Sequence, residues 1–285
     1  MKLWLIPFVL AGCAWPQPPA AEQIMARVAE NQDRAQEMRA SMVYNQNLLI
    51  RMKRGNGKLA REEIRDFTVT PTSTGITKDL THFTGKYEIK GKWIEYSKPG
   101  FEYKSMDIDG DLINDLANDL TNDQKSRDGI SADLFPLTRK QQEKYIFELK
   151  GRENYREREV YRITFKPKKP SLMDFDDGEC SFWTGEALVD VREYQPVLVT
   201  TWAAKKIPLA VRTLLGTDIR HIGFKVAYRK FDEGLWFPVS YGGEFYVRAV
   251  FFYKRTFALS LSNSGFQRAE VNTKVAFGDP VKSDR

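Results

Sequence analysis

The sequence predicts an α+β fold that is mainly antiparallel β, with a strongly curved sheet. Apolar residues recur at helical spacing over residues 20–42, and from Val43 the spacing changes to every second residue. Aromatic residues make up 13% of the chain and concentrate in its C-terminal half, which favours strands. An alternation that runs from Phe245 to Leu261 predicts one strand so long that it must bend, as in a curved sheet or a barrel.

The first residues have the features of an export signal. Lys2 precedes an apolar run that ends in Leu10-Ala11-Gly12-Cys13, and this ending resembles the bacterial lipobox. The resemblance implies that residues 1–12 are removed and that Cys13 is acylated. The alternative is a plain signal peptide that is cut near Ala20 or Ala21.

The same resemblance predicts where the mature protein lies. Residues 13–21 form a proline-rich tether, and Ala14 after the cysteine implies the outer membrane, with the protein facing the periplasm. The apolar run is shorter than the roughly 20 residues that span a bilayer. We therefore expect an exported protein that is held to the membrane surface by lipid.

Charge is unevenly distributed along the chain. The net charge is +6 and the mean hydropathy is −0.48, with acidic residues concentrated in 102–133 and basic residues in 194–275. A basic half can face nucleic acid or an anionic membrane, or can be an ordinary solvated surface. Export excludes nucleic acid as an expected partner.

The N-terminal half begins with a helix and continues as hairpins. After the helix of residues 20–42, a first strand places Tyr44, Leu48, Ile50 and Met52 on one face. Gly55-Asn56-Gly57 then predicts a tight turn. A second strand passes through Ile64, Phe67 and Val69, and residues 77–93 predict one or two more.

An acidic helical insert, at about residues 105–135, interrupts the strands. Residues 107–126 predict a helix whose apolar stripe contains Leu112, Leu116 and Leu120. Residues 138–145 predict a short helical turn. The chain then continues mostly as strands, which are predicted near residues 161–165, 187–191, 197–202, 222–228 and 245–261.

The sequence offers little for catalysis. There is no Gly-x-Ser-x-Gly, and His82 and His221 lie alone in strand-like contexts. Asp107, Asp109 and Asp111 have the spacing of a calcium loop, but Leu112 stands where that loop needs glycine. Alternatively, this acidic turn caps the following helix. We expect no enzyme activity, no metal and no cofactor.

The segment 202–215 is apolar where a polar loop would be expected between two strands. Apolar side chains edged by basic ones suit a membrane surface, although the segment could instead fold back onto the core. The candidate membrane-contact residues are Lys205, Lys206, Ile207, Leu209, Val211, Arg212, Leu214 and Leu215.

The order of elements and two motifs point to a family. Residues 183–190 (Trp-Thr-Gly-Glu-Ala-Leu-Val-Asp) precede Gln195-Pro196-Val197-Leu198-Val199, and Gly234-Leu235-Trp236-Phe237-Pro238 begins a late hairpin. With one N-terminal helix and mid-chain helical segments, this resembles the outer-membrane lipoprotein-sorting family of LolA/LolB-like carriers. The chain looks like a longer, lipobox-bearing member, with one domain over residues 22–277 and a tail over 278–285.

The resemblance implies a half-open curved β-barrel whose concave face is covered by the N-terminal helix and the mid-chain helices. Its hydrophobic cavity would bind and transfer acyl chains of lipids or lipoproteins without catalysis. An envelope sensor that binds a partner protein through the same fold is the alternative. The candidate cavity residues are Tyr44, Leu48, Ile50, Leu112, Leu116, Leu120, Phe224, Val226, Tyr228, Phe245, Val247 and Phe251.

Overall fold

A computed structural model describes residues 19–105, 107–121, 135, 137–168, 183–203, 217–231, 234–249 and 253–269. Within them lie three helices, α1 (Ala21–Arg39), α2 (Ile108–Thr121) and α3 (Arg139–Gln142). The strands are β1 (Met42–Arg54), β2 (Leu59–Pro71), β3 (Ile76–Ile89), β4 (Lys92–Tyr96), β5 (Tyr145–Tyr155), β6 (Arg158–Pro167), β7 (Trp183–Asp190), β8 (Pro196–Ala203), β9 (Thr217–Lys230), β10 (Trp236–Ala249) and β11 (Tyr253–Arg268).

These strands form one sheet in which neighbours run antiparallel. The order is β4-β3-β2-β1-β11-β10-β9-β8-β7-β6-β5, so the sheet is open, with β4 and β5 at its edges. Neighbouring strands in the sheet are also consecutive in sequence, with one exception. That exception is the pairing of β1 with β11, which joins the first four strands to the last seven. The predicted fold class is confirmed.

The first helix forms as predicted and is shorter than its periodic pattern by a few residues. Ile24, Met25 and Val28 are buried against the sheet, while charged residues fill the outer face. The helix ends at Arg39, whose Nε donates a hydrogen bond of 2.8 Å to the carbonyl oxygen of Trp236. That contact fixes the end of α1 over the start of β10.

The predicted long strand over residues 245–261 is wrong, because the chain folds back on itself there. Residues up to Ala249 belong to β10, and Tyr253 begins the antiparallel β11. The hairpin pairs Phe245 with Phe257, and their rings stack with centroids 5.3 Å apart. Odd-numbered residues face the core in both β10 and β11, so the alternation in the sequence does not reveal where one strand ends and the next begins.

The concave face of the sheet, which we define as the face that packs against α1 and α2, holds the main hydrophobic core. A second, smaller cluster lies at the end of the sheet where β1 begins and β11 ends, and it contains Tyr44, Val69, Ile76, Leu235 and Phe237. Among the described residues, no helix has the length and apolar character needed to cross a membrane.

Candidate functional site

The concave face presents a continuous apolar surface that extends from β1 through β11 to β5. Leu48 and Ile50 on β1 join one buried cluster with the inward residues of β5 to β11. From the helices, α1 adds Ile24, Met25 and Val28, and α2 adds Ile113 and Ala117. The strands contribute nearly all the aromatic side chains of this cluster, and the helices contribute aliphatic side chains and Met25. The helices therefore cover a sheet face that is rich in aromatic rings.

Eight of the predicted cavity residues lie on this face or in the smaller cluster. Leu48, Ile50 and Val226 are fully buried, and little of Phe224, Tyr228, Phe245 and Val247 is exposed. Because these side chains pack against α1, α2 and one another, the surface is closed in this conformation. Tyr44 belongs to the smaller cluster, where its ring lies 5.0 Å from that of Phe237.

The other predicted site residues are only partly described. Leu112 is half-buried on α2, whereas Ile113 and Ala117 take the inward position. The backbone of Leu116 and Leu120 belongs to α2, but their side chains lie outside the described residues, as do Phe251 and Cys13. The predicted membrane-contact segment also lies outside the described residues, namely Lys205, Lys206, Ile207, Leu209, Val211, Arg212, Leu214 and Leu215.

Aromatic rings form a connected row across the centre of the concave face. The Trp183 ring meets Phe224 edge-on at 5.4 Å, and Phe224 stacks on Tyr241 at 5.5 Å with planes 10° apart. Phe135 then stands perpendicular to Tyr241 at 6.3 Å. Gly243 makes room for this row, since a Cβ there would lie 2.5 Å from the Phe224 ring.

The apolar surface is interrupted at β2, where three successive inward side chains are charged. Cross-strand pairing places Leu48 opposite Arg65, Ile50 opposite Glu63 and Met52 opposite Arg61. All three β2 side chains are buried. The predicted strand is present as β2, and the sequence did not indicate that these charged side chains are buried.

The buried charges of β2 are paired with one another and with the residue that precedes α2. Arg61 donates to Asp107 Oδ2 at 2.7 Å and to the Tyr96 hydroxyl at 2.7 Å, while Glu63 accepts from Arg65 at 2.7 Å. Burial alone would lower the pKa of Arg61, but the hydrogen bonds to Tyr96 and Asp107 raise it above its usual value. Arg61 therefore stays charged and fastens α2 to β2.

The second acidic residue at this helix start is held by β11. Asp109 accepts a hydrogen bond of 2.6 Å from the Tyr253 hydroxyl and pairs with Arg255 at 3.0 Å. Burial and the bond to Asp109 raise the pKa of Tyr253, so that the hydroxyl remains a donor. The N-terminal end of α2 is thus fixed to β2 on one side and to β11 on the other.

The contacts of Asp107 and Asp109 favour the helix cap over the calcium loop. Asp107 also accepts from the backbone N–H of Gly110, as an N-cap residue does. Two of the three aspartates with calcium-loop spacing, Asp107 and Asp109, instead face the cations of Arg61 and Arg255. Among the described residues, no group of three or more potential ligands could hold a metal ion.

Polar contacts also attach α1 to the turn between β7 and β8. Asn31 donates to the carbonyl oxygens of Glu193 and Tyr194 at 2.8 and 3.0 Å, and Gln32 donates to the side chain of Gln195 at 2.8 Å. Unlike apolar contacts, these bonds specify one position of the helix on the sheet.

A polar cleft of about 360 Å³ lies at the turn between β5 and β6 and is lined by charged residues. Its lining includes Arg158, which pairs with Asp190 at 3.0 Å. Charged walls do not suit an acyl chain, so the concave face remains the candidate site.

Comparison with known proteins finds resemblance in structure only. No protein-family model and no curated protein matches the sequence. A LolA superfamily protein from Nitrosomonas europaea is similar with a TM-score of 0.34 and 12% identity, over 92% of this chain and 99% of that one. A putative outer-membrane lipoprotein-sorting protein domain from Vibrio parahaemolyticus gives 0.37 and 9%, over 91% and 95%.

A third similar structure is the lipoprotein LppX from Mycobacterium tuberculosis, with a TM-score of 0.28 and 9% identity over 88% of this chain and 98% of that one. At these scores the likeness assigns no function.

Proposed function

We propose that this protein is a non-enzymatic binder and carrier of the acyl chains of lipids or lipoproteins in the bacterial envelope. The continuous apolar surface of the concave face supports this function. The eight strands from β1 to β5 that carry this surface cover roughly 34 Å at about 4.8 Å spacing, whereas the 19 residues of α1 reach roughly 28 Å. The sheet thus carries more apolar width than its longest helix covers.

Acyl chains would bind by replacing helix contacts with lipid contacts. Removing one CH₂ group from water is worth about 0.8 kcal/mol. A chain that enters between the sheet and α1 or α2 recovers the apolar contacts that the helix gives up, and no reactive group is needed. Because the surface is closed in this conformation, binding requires that a helix move away from the sheet.

Photo-crosslinking tests this proposal directly. A fatty acid with a diazirine at its terminal carbon is incubated with the purified protein, illuminated, and mapped by peptide mass spectrometry. We expect labelled peptides from the concave face, around Leu48, Val226 and Phe245, and competition by unlabelled oleate. Label confined to the outward residues of the same strands, such as Arg51 and Lys225, would contradict the proposal.

The expected lipid anchor and the apolar segment at 202–215 extend this proposal to membrane delivery. Replacing Leu209 and Leu214 with Asp adds charges that oppose insertion into a lipid surface. We expect weaker binding to anionic vesicles and slower release of bound probe to them. As a control, Lys225→Asp makes a similar charge change on an outward strand position. Equal vesicle binding by both variants would contradict a membrane contact at this segment.

A second function, binding of a protein partner in the envelope, is favoured by the exposed edge of the sheet. Leu80, Trp93 and Ile94 lie on β3 and β4 and are 39–45% exposed, and β4 is an edge strand. This function predicts that the protein takes up no lipid. It also predicts that Trp93→Ala abolishes partner binding without lowering the free energy of unfolding.

A further inference from the structure

The hydroxyl of Tyr241 lies at the centre of the concave face, and no described residue gives it a hydrogen bond. Tyr241 is 1% exposed, and within the described part of the chain its hydroxyl oxygen makes no hydrogen bond. The ring packs between Phe224 and Phe135, at 5.5 and 6.3 Å. Two aromatic rings therefore flank a buried side chain that carries a hydrogen-bond donor.

This arrangement is costly in the ligand-free protein. Buried hydroxyls almost always have a hydrogen-bond partner, because transfer from water without one is unfavourable. Phenylalanine would fill the same position without the penalty. Burial alone raises the pKa of Tyr241 well above its usual value, so the group stays protonated and remains a donor.

The location of the hydroxyl connects it to the proposed ligand. Tyr241 lies on β10 opposite Val226 of β9 and Leu261 of β11, both of which belong to the apolar surface. A lipid lying on this surface places its acyl chain among the same side chains. The oxygen that joins the chain to its head is the acceptor such a ligand brings, whether it is an ester carbonyl or a carboxyl group.

We propose that the Tyr241 hydroxyl donates a hydrogen bond to the acyl carbonyl or carboxyl oxygen of a bound lipid, and so positions the lipid on the concave face. This inference rests on the proposed function and adds the ligand class: an amphiphile with an oxygen acceptor at the head of its chain. A plain hydrocarbon would bind to the same surface but would leave the hydroxyl unsatisfied.

The test compares the full chain with its Tyr241→Phe variant, using three fluorescent probes. Parinaric acid carries a carboxyl group, its methyl ester carries an ester carbonyl, and diphenylhexatriene carries no acceptor. We expect Tyr241→Phe to weaken binding of the acid and the ester by about 3- to 10-fold, as the loss of one hydrogen bond predicts, and to leave diphenylhexatriene unchanged. Tyr246→Phe, on the opposite face of the same strand, is the matched control.

Each outcome bears on one claim. Weakening of both oxygen-bearing probes supports recognition of an ester lipid, and weakening of the acid alone supports a free fatty acid. Equal affinity of wild type and Tyr241→Phe for all probes, or an equal loss for all three, overturns the inference while the acyl-binding function stands. Failure of the wild type to bind any probe contradicts the function itself.

A stability measurement separates loss of the bond from loss of the fold. We expect ligand-free Tyr241→Phe to unfold at the same or a higher urea concentration than the wild type, because it removes an unsatisfied buried hydroxyl. A lower urea midpoint would show that the hydroxyl has a partner in the ligand-free protein, and would overturn the inference.

Discussion

Arg61 shows how single residues hold the cover of the concave face in place. Its guanidinium is fully buried, lies 4.9 Å from the Tyr96 ring centroid, and pairs with Asp107 at the start of α2. A Cβ at Gly110 would lie 2.8 Å from the same guanidinium, so the helix can approach it only with glycine there. The ion pair therefore depends on close contact between β2 and α2.

Removing this cation should destabilise the protein strongly. Arg61→Met retains most of the side-chain volume but leaves Asp107 buried without its cation, whereas Glu63 keeps its pair with Arg65. We expect the free energy of unfolding to fall by about 3–5 kcal/mol, measured by urea denaturation.

The matched control is Arg51→Met on the neighbouring strand. Arg51 pairs with Glu62 at 2.7 Å but is 51% exposed, so its loss should cost less than about 1 kcal/mol. Equal effects of the two substitutions would contradict the structural role assigned to the buried network.

For single residues, the sequence predicts correctly which apolar side chains of β1 are buried, but it does not predict that charged side chains of β2 are buried. The alternation on β1 correctly identifies Leu48 and Ile50 as buried. On β2 the sequence predicts a strand but does not indicate that Arg61, Glu63 and Arg65 are buried. Their burial depends on Asp107, which is distant in sequence, and local periodicity contains no information about such a partner.

The helices are the elements on which ligand access depends. If acyl chains enter beneath α1, fixing that helix to the sheet should block uptake. Gln32 on α1 touches Gln195 beyond β7 through side chains 2.8 Å apart. A Gln32→Cys/Gln195→Cys pair, in a Cys13→Ser/Cys180→Ser background, can be joined by a short bismaleimide that contains a reducible disulfide.

We expect the linked protein to take up little fluorescent fatty acid, and reduction of the linker to restore uptake. The control is Arg51→Cys/Glu62→Cys, which joins β1 to β2 on the outer face and should leave uptake unchanged. Normal uptake by the Gln32–Gln195 linked protein would show that α1 does not move on binding.

At the level of elements, the sequence predicts the helices and most strands to within a few residues. It fails at the β10–β11 turn, because the pairing of Phe245 with Phe257 keeps the alternation in phase across it. The two motifs that suggested the family form a real strand pair, β7 with β8, and the start of β10.

In the whole molecule, pairing of β1 with β11 is what makes one wide apolar surface. It brings Leu48 opposite Leu261 and Ile50 opposite Leu259, so that the N-terminal strand continues the face built by the C-terminal half. This pairing joins residues more than 200 positions apart, and no local pattern predicts it. The family resemblance, and not a local pattern, implies the half-open sheet. The sequence alone does not distinguish residues that line a cavity from residues of an ordinary hydrophobic core.

The most direct test of the acyl-binding function is mass spectrometry of organic extracts from the protein, purified from the periplasm without detergent as a Cys13-truncated form. If the protein binds acyl chains, we expect a phospholipid, fatty acid or acylated peptide to co-purify with it at a stoichiometric level. Lipid-free protein that also fails to take up a fluorescent fatty acid would contradict it and would favour the partner-binding function.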